Sequence, residues 1–182
     1  MGILSLLLLT PAIGILILAL VPGQNTNQIR LVANLIAAVA FLLSCWLVVI
    51  YDIQDGSLQF TEQFVLNPKL GTAFALGVDG LSLPMVVLAT LLTSIALLAS
   101  FNITNSVKGY HISILMLQFG MVGVFLSQDW SLFYIFWELT LIPLFLLIAR
   151  WGGVRRNVAS INFVLYTMGG SIFMLISLLA IS

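Results

Sequence analysis

Charged residues are scarce in this sequence. Only 7% of its 182 residues are charged, with six Lys and Arg against six Asp and Glu, whereas 62% are apolar. A soluble globular domain carries about 25% charged residues, so this chain lacks the polar side chains to cover a surface exposed to water. The scarcity excludes soluble enzymes and nucleic-acid-binding proteins, and it indicates an integral membrane protein whose main environment is the lipid bilayer.

Cysteine and histidine are nearly absent. The chain has one Cys, Cys45, and one His. A single thiol forms no internal disulfide, and iron–sulfur clusters usually need four Cys ligands. We therefore expect no metal or redox centre in this chain. The N-terminus also lacks the positive region and the small-residue cleavage site of a secretory signal, so Met1–Leu20 is interpreted as a mature transmembrane helix.

Long apolar runs fill most of the sequence. Six windows bounded by polar clusters approach the roughly 20 residues that a helix needs to cross a bilayer: Ile3–Leu20, Leu31–Tyr51, Leu81–Phe101, Tyr110–Ser127, Trp130–Arg150 and Ile161–Ile181. The predicted fold class is an all-α integral membrane protein with six transmembrane helices. Alternate connections hold most of the basic residues, and the positive-inside rule places those on the cytoplasmic or stromal side. The N-terminus is then outside, in the lumen or periplasm.

The connection over residues 52–80 is long and patterned. Alternate positions share one face of a predicted strand: Leu58, Phe60, Glu62, Phe64 and Leu66. Asn67 and Pro68 then offer a turn before a second strand at Thr72–Leu76. We predict a small hairpin on the outer face between the second and third helices, with an irregular loop of chance alternation as the alternative.

Two helix starts carry polar residues. Asp79 and Ser82 are placed to accept hydrogen bonds from the exposed backbone donors of the third helix, and Pro84 fits its first turn. These residues are predicted to cap the third helix, and they do not indicate a catalytic or binding site. His111 begins the fourth helix close to Lys108, and we expect it at the membrane interface rather than in a proton relay.

Glu138 is the one ionisable group predicted to lie deep in a helix. It follows Trp130 by eight residues, or roughly 12 Å at 1.5 Å per residue, which is near the middle of a bilayer. An ionised carboxylate there costs several kcal/mol, so the position suits a group that holds and releases a proton. The alternative is a protonated Glu that only joins two helices by a hydrogen bond.

The neighbours of Glu138 favour a shaped site. Tyr134 lies one turn earlier on the same helical face, in reach of the carboxyl group. Phe133, Phe136 and Trp137 are expected to shield the site from lipid and water. Pro143 cannot donate to the helical ladder, which leaves the carbonyl of Leu139 free to bind water one turn from the carboxylate.

Other polar residues in the spans are weaker candidates. A possible polar path would use Gln118, Thr167 and Ser171, although bridging between helices is the favoured explanation for each of them. The glycines of Gly120–Gly123 and Gly169–Gly170 are predicted to permit close approach of helices.

Three motifs together resemble a known family. The segment Asp129–Leu144, which reads DWSLFYIFWELTLIPL, resembles the fifth transmembrane helix of the antiporter-like proton-pumping membrane subunits of complex I and NDH-1, and within them the subunit 4 or M-type branch. Gly77–Pro84 is similar to the start of that family's third helix, and Leu165–Ser171 to its sixth. The three lie in register over nearly the whole chain.

The resemblance implies a function and a division of the chain. Residues 1–109 would be three leading helices with the outer loop, and residues 110–182 the first half of an antiporter-like repeat, so that the sequence is the N-terminal part of a longer subunit or is completed by a neighbouring chain. Glu138 would occupy the place of the family's intramembrane glutamate, which pairs with a lysine on a later helix. No Lys or Arg lies within any predicted span, apart from Arg150 at the very end of the fifth.

The implied activity is proton translocation by a subunit of an NAD(P)H or ferredoxin:quinone oxidoreductase. No cofactor is expected in this chain, because the quinone and the iron–sulfur clusters would belong to partner subunits, and neighbouring antiporter-like subunits would adjoin it. The thylakoid membrane is favoured over a bacterial plasma membrane. The alternatives are a subunit of a multi-subunit cation/proton antiporter and a purely structural role in assembly.

Overall fold

Six helices and one hairpin make up the computed structural model, which describes residues 2–55, 57–67 and 72–181. The α-helices and strands in chain order are α1 (Ile3–Leu20), α2 (Thr26–Ile50), β1 (Gln59–Asn67), β2 (Thr72–Val78), α3 (Ser82–Ala99), α4 (Val107–Leu126), α5 (Trp130–Trp151) and α6 (Arg156–Ile181), and a short 3₁₀ helix (Ser100–Asn102) follows α3. Within the described residues all six helices are long and apolar enough to cross a membrane. The predicted fold class is confirmed.

Three helices begin earlier than the apolar windows predict. These are α2, α4 and α6, which start at Thr26, Val107 and Arg156. Their first turns are polar, which is typical of loops, but a helix end at the interface can keep polar side chains in water. Lys108 illustrates this, because its ammonium group reaches back to the carbonyls of Ala19 and Val21 at 2.8 and 2.9 Å.

The hairpin predicted from alternating residues is present. Strands β1 and β2 pair antiparallel, with Glu62 opposite Leu76 and Phe64 opposite Phe74. The register shifts between Gln59 and Glu62, where Phe60 has a positive φ of 54°, so the strict alternation predicted for β1 is broken by a bulge. The predicted turn at Asn67–Pro68 falls partly outside the described residues.

Glu62 fastens the hairpin to the first helix. Its carboxylate accepts hydrogen bonds from the backbone N–H groups of Gly2, Leu4 and Ser5 at 3.0, 2.9 and 3.2 Å, and from the Ser5 hydroxyl. These are donors that a helix start leaves unpaired. Partial burial raises the pKa of Glu62, but these hydrogen bonds outweigh it and hold the pKa below its ordinary value of 4.5.

Asp79 performs the predicted capping of α3. Its carboxylate accepts from the backbone N–H groups of Ser82 at 2.6 Å and Leu81 at 3.1 Å, and Pro84 lies in the first turn. The hydrogen bonds from Ser82, followed by that from Leu81, lower the pKa of Asp79. Both capping carboxylates lie at the same end of the helices, which we call the hairpin end.

Two apolar clusters hold the bundle together. The first lies at the hairpin end, where Leu76 and Val78 of β2 pack among the ends of α1 to α5. The second lies at the opposite end, where Leu18, Leu97 and Leu115 join α1, α3 and α4 to α2. Helix α5 packs on α4, and α6 packs on α5, so α5 and α6 form a wing beside the bundle of α1 to α4.

Glycines set the approach of α4 and α5, as predicted. A Cβ atom at Gly120 would stand 2.6 Å from a methyl carbon of Thr140, and one at Gly123 would overlap the ring of Phe136. Close approach was also predicted at Gly169 and Gly170 of α6. A Cβ atom at either position would meet nothing within 4 Å. The close approach expected there is made by no part of the described chain.

Candidate functional site

Helix α5 sets the depth of Glu138. The helix begins at Trp130 and is capped by Asp129, whose carboxylate accepts hydrogen bonds from the backbone N–H groups of Ser131 at 2.8 Å and Leu132 at 3.2 Å. It then continues through Pro143 to Trp151. Glu138 lies nine residues after the cap, or roughly 13 Å along the axis, close to the middle of a hydrocarbon core about 30 Å thick.

The carboxyl group of Glu138 has an unfilled hydrogen-bonding position. The side chain is half-buried, and its Oε1 atom is buried without a hydrogen-bond partner in the part of the chain that the structure describes. Buried polar atoms nearly always have a partner. This oxygen is therefore a place where a proton, a water molecule or a side chain from another helix has to bind.

A groove of about 550 Å³ between α5 and α6 contains the carboxyl group. Tyr134 shares the groove and lies next to both Glu138 and Ser171 of α6. The remaining lining residues are all apolar: Ile135, Leu139, Leu141, Ile142, Phe145, Val164 and Met168. A single carboxyl group with a phenol beside it thus stands in apolar surroundings, where its charged form is costly and its neutral form is not.

The structure brings only some of the predicted shaping residues to this groove. Trp137 stacks on Phe133 with ring centroids 6.1 Å apart and remains 42% exposed. Pro143 is buried within α5. Neither Trp137 nor Pro143 is among the lining residues, so their part in shaping the site stays a prediction.

The position of Phe136 differs from the one that we expected. We expected it to shield Glu138, but its ring is buried against Gly123 and lies edge-on to Phe119 of α4, with centroids 5.4 Å apart. The reason is helical geometry, because two residues along a helix turn a side chain by about 200°. Phe136 therefore fastens α5 to the bundle, on the side of the helix away from Glu138.

The three residues of the possible polar path lie in different places. Ser171 is buried beside Tyr134 and donates to the carbonyl of Met168 at 3.1 Å. Thr167 donates to the carbonyl of Phe163 at 2.6 Å. Gln118 is fully buried in α4, about half a turn from the glycines that face α5. The geometry brings Ser171 to the site, while a path through Gln118 stays a prediction.

His111 is buried within the protein, and its expected position at the membrane interface stays a prediction. Its side chain is fully buried in α4, and its Nδ1 pairs with the carbonyl of Val107 at 2.8 Å. His111 precedes Gln118 by two helical turns, and this shared face of α4 packs towards the leading helices together with Leu115. Packing of that face, which the position of His111 near a helix start did not reveal, accounts for its burial.

Sequence reasoning missed most of the groove. On α5 the missing residues Leu141, Ile142 and Phe145 lie three, four and seven positions after Glu138, which is the spacing of one helical face. That signal was available. Val164 and Met168 come from α6, and only the packing of α6 on α5 brings them to the site.

The comparisons with known proteins bear on this fold and site. Residues 127–182 match the family model described as NADH:quinone oxidoreductase/Mrp antiporter, TM. The chain is 29% identical to a chain of respiratory complex I from Thermus thermophilus, with a TM-score of 0.82 over 97% of this chain and 35% of that one. The chain is therefore similar in sequence and fold to a chain of respiratory complex I, and its last third is similar to the NADH:quinone oxidoreductase/Mrp antiporter family. The resemblance inferred from three motifs is confirmed.

Curated relatives of this complex I-like chain are NAD(P)H-quinone oxidoreductase subunits. It is 41% identical to chain 4 1 of Picosynechococcus sp., over 94% of this chain and 32% of that protein. It is 38% identical to the chloroplastic chain 4 of Chara vulgaris, over 96% of this chain and 36% of that protein. The chain thus spans about a third of the length of the curated relatives it matches.

The membrane-bound sulfane sulfur reductase, an archaeal respiratory membrane complex, shares the fold. Its matching chain is 21% identical with a TM-score of 0.67, over 93% of this chain and 26% of that one. At this identity the likeness supports the architecture alone. The six membrane-length helices of the described residues and the transmembrane family model together show that this chain is an integral membrane protein.

Proposed function

We propose that this chain is part of a proton-translocating membrane subunit of an NDH-1 or complex I type NAD(P)H or ferredoxin:quinone oxidoreductase. The observation that carries the proposal is the Glu138 carboxyl group, half-buried at mid-depth with its Oε1 unpartnered in the described chain. Such an acid inside a membrane typically belongs to a proton pathway. The named relatives, which are NAD(P)H-quinone oxidoreductase chains, supply the kind of complex.

Glu138 is proposed to alternate between a neutral and a charged state. In the apolar groove the neutral form is favoured. Release of the proton needs a cation close to the carboxylate, and the described part of α5 and α6 supplies none within the membrane. The resemblance implies that a lysine on a later helix does so. Tyr134, with Ser171 behind it, is proposed to orient the carboxyl group by hydrogen bonding.

Redox chemistry is proposed to lie in other subunits. The described residues form no group of three or more His, Cys, Asp and Glu side chains able to hold a metal ion. We place the quinone and the iron–sulfur clusters in partner subunits, with neighbouring antiporter-like subunits beside this one. The thylakoid membrane is the proposed location, since relatives come from cyanobacteria and from a chloroplast.

The test replaces Glu138 by Gln in the intact complex. Glu138→Gln keeps the volume and removes the titratable proton, so we expect proton pumping to fall close to background while the complex assembles normally. Proton uptake by membrane vesicles is measured during quinone reduction. Thr140→Val is the matched control. It keeps the shape of the side chain beside Gly120 and removes only a hydroxyl group that donates to the Trp137 carbonyl of the same helix.

Normal proton pumping by Glu138→Gln would contradict the proposal, and it would favour the alternative in which Glu138 only joins two helices by a hydrogen bond. A second candidate is a cation/proton antiporter subunit, which the description of the matching family model also names. It predicts a sodium-dependent pH gradient without any electron donor. Copurification with iron–sulfur subunits favours the oxidoreductase.

A further inference from the structure

A second groove runs along the outside of α2 and α3, away from Glu138. Its volume is about 550 Å³, and most of its lining is apolar. Arg30 lies at one end of it, near Asn27 and Asn34. The other lining residues are Leu31, Leu35, Ala38, Ser94, Leu98 and Phe101. The groove therefore has a positively charged group at one end and apolar walls along the rest of its length.

Only some of the hydrogen-bond donors of Arg30 have a partner in the described chain. One of its terminal nitrogens donates to the carbonyl of Ile103 at 2.9 Å. Its Nε atom and the Oδ1 atom of Asn34 are both buried without a hydrogen-bond partner among the residues that the structure describes. A guanidinium group presents five donors in a fixed fork, so this one has donors left for an acceptor outside the chain.

Among the described residues, no acidic side chain lies near the charge of Arg30. Five of the six acidic residues belong to the hairpin end, where α3 and α5 begin and α2 ends, and the sixth is Glu138. Arg30 lies in the second turn of α2, at the opposite end. An unneutralised cation at a membrane interface favours an anionic group from the lipid.

The dimensions of the groove fit an acyl chain. From Asn27 to Ala38 it follows α2 for eleven residues, or roughly 16 Å, which is about half of a hydrocarbon core near 30 Å. This is the depth of one leaflet. Spread over that length, the volume gives a mean cross-section of roughly 30 to 35 Å², much less than that of a helix about 10 Å wide.

The walls face outward, away from the bundle of the described helices. Leu31, Leu35, Leu98 and Phe101 are between 54% and 61% exposed, although the small residues Ala38 and Ser94 leave a depression between them. We propose that this groove binds an acidic phospholipid of the leaflet at the Arg30 end. Its phosphate pairs with the Arg30 guanidinium, and one acyl chain lies between α2 and α3.

The binding mode assigns a role to each end of the groove. Arg30 binds the phosphate through charge and hydrogen bonds, which an uncharged Gln cannot reproduce but a Lys partly can. Ala38 leaves room for the acyl chain, which a larger side chain removes without altering any charge. The two changes therefore separate recognition of the head from recognition of the chain.

The experiment measures lipid binding to the purified native assembly that contains this chain. Phosphatidylglycerol and phosphatidylcholine with identical acyl chains are added in detergent, and bound lipid and thermal stabilisation are recorded. We expect phosphatidylglycerol to bind preferentially, Arg30→Gln to weaken it about fivefold, Arg30→Lys to retain most of the binding, and Ala38→Phe to weaken it as well. Arg155→Gln, which removes an exposed cation from the same end, is the control and should leave it unchanged.

Four results would overturn the proposal. Equal retention of phosphatidylglycerol in wild type, Arg30→Gln and Ala38→Phe shows that the groove binds no acidic lipid. Equal stabilisation by inorganic phosphate shows a site for free anions. Equal binding of phosphatidylcholine shows an apolar groove with no recognition of the head. Loss of a neighbouring subunit from Ala38→Phe alone shows that a protein occupies the groove.

Discussion

Glu62 is a residue whose role depends on a partner nearly sixty positions away. As a strand residue it was expected on one face of the hairpin, and nothing in its neighbours indicated α1. The structure directs its carboxylate to the N-terminal donors of α1, where a negative charge also interacts favourably with the helix dipole. One side chain thus joins the hairpin to the first transmembrane helix.

Replacing this carboxylate should loosen the start of α1. For Glu62→Gln we expect a loss of about 1 kcal/mol in local stability, the usual cost of a lost cap, and hence about fivefold faster hydrogen exchange at the Leu4 and Ser5 amides. Exchange in the intact assembly, followed by mass spectrometry, measures this. Gln63→Ala, an exposed change in the same strand, is the control and should have no effect.

The contribution of Glu62 should depend on pH. Because the folded pKa lies below the ordinary value of 4.5, the stabilisation is complete above that value and is lost as the pH falls through the lowered pKa. The difference between wild type and Glu62→Gln should therefore be constant near neutral pH and shrink below about 4.5. A difference that grows on acidification contradicts the capping role.

Among the elements, α4 and α5 show how small residues control packing. Sequence spacing predicted close approach at both glycine pairs, but the space around them differs. Gly120 and Gly123 lie against Thr140 and Phe136, whereas Gly169 and Gly170 of α6 face open space. A pair of glycines in the sequence permits another helix to approach closely, but it does not identify which helix does so.

The contrast gives a matched pair of variants. Gly123→Ala should destabilise the assembly by roughly 1 to 3 kcal/mol, since the new methyl group overlaps the Phe136 ring. Gly170→Ala should cost nothing within this chain. Thermal denaturation of the purified assembly measures both. A strong loss from Gly170→Ala would instead show that a helix outside the described residues packs on α6.

At the scale of the whole molecule the charges are segregated. The hairpin end carries Asp52, Asp55, Glu62, Asp79 and Asp129, while the opposite end carries five of the six basic residues, Arg30, Lys108, Arg150, Arg155 and Arg156. The sixth, Lys69, lies outside the described residues. The positive-inside rule depends on Lys and Arg near the membrane. We therefore expect the hairpin end in the lumen or periplasm.

Labelling from one side of the membrane tests this orientation. In a Cys45→Ser background, Gln54→Cys reports on the hairpin end and Val154→Cys, fully exposed, on the other. A maleimide that cannot cross membranes, applied from the lumenal or periplasmic side, should label the first at once and the second only after permeabilisation. The opposite pattern reverses the orientation.

The sequence by itself determined the class of protein and the number of helices, and it predicted the hairpin and an acid deep in the fifth helix. Each of these follows from local composition, because a bilayer requires about 20 apolar residues per helix and makes a buried carboxylate exceptional. Tertiary structure alone decided that His111 is buried, that Phe136 faces α4 rather than Glu138, and that Val164 and Met168 complete the groove. A helix has several apolar faces in a membrane protein, so its own pattern does not identify the neighbour that each face contacts.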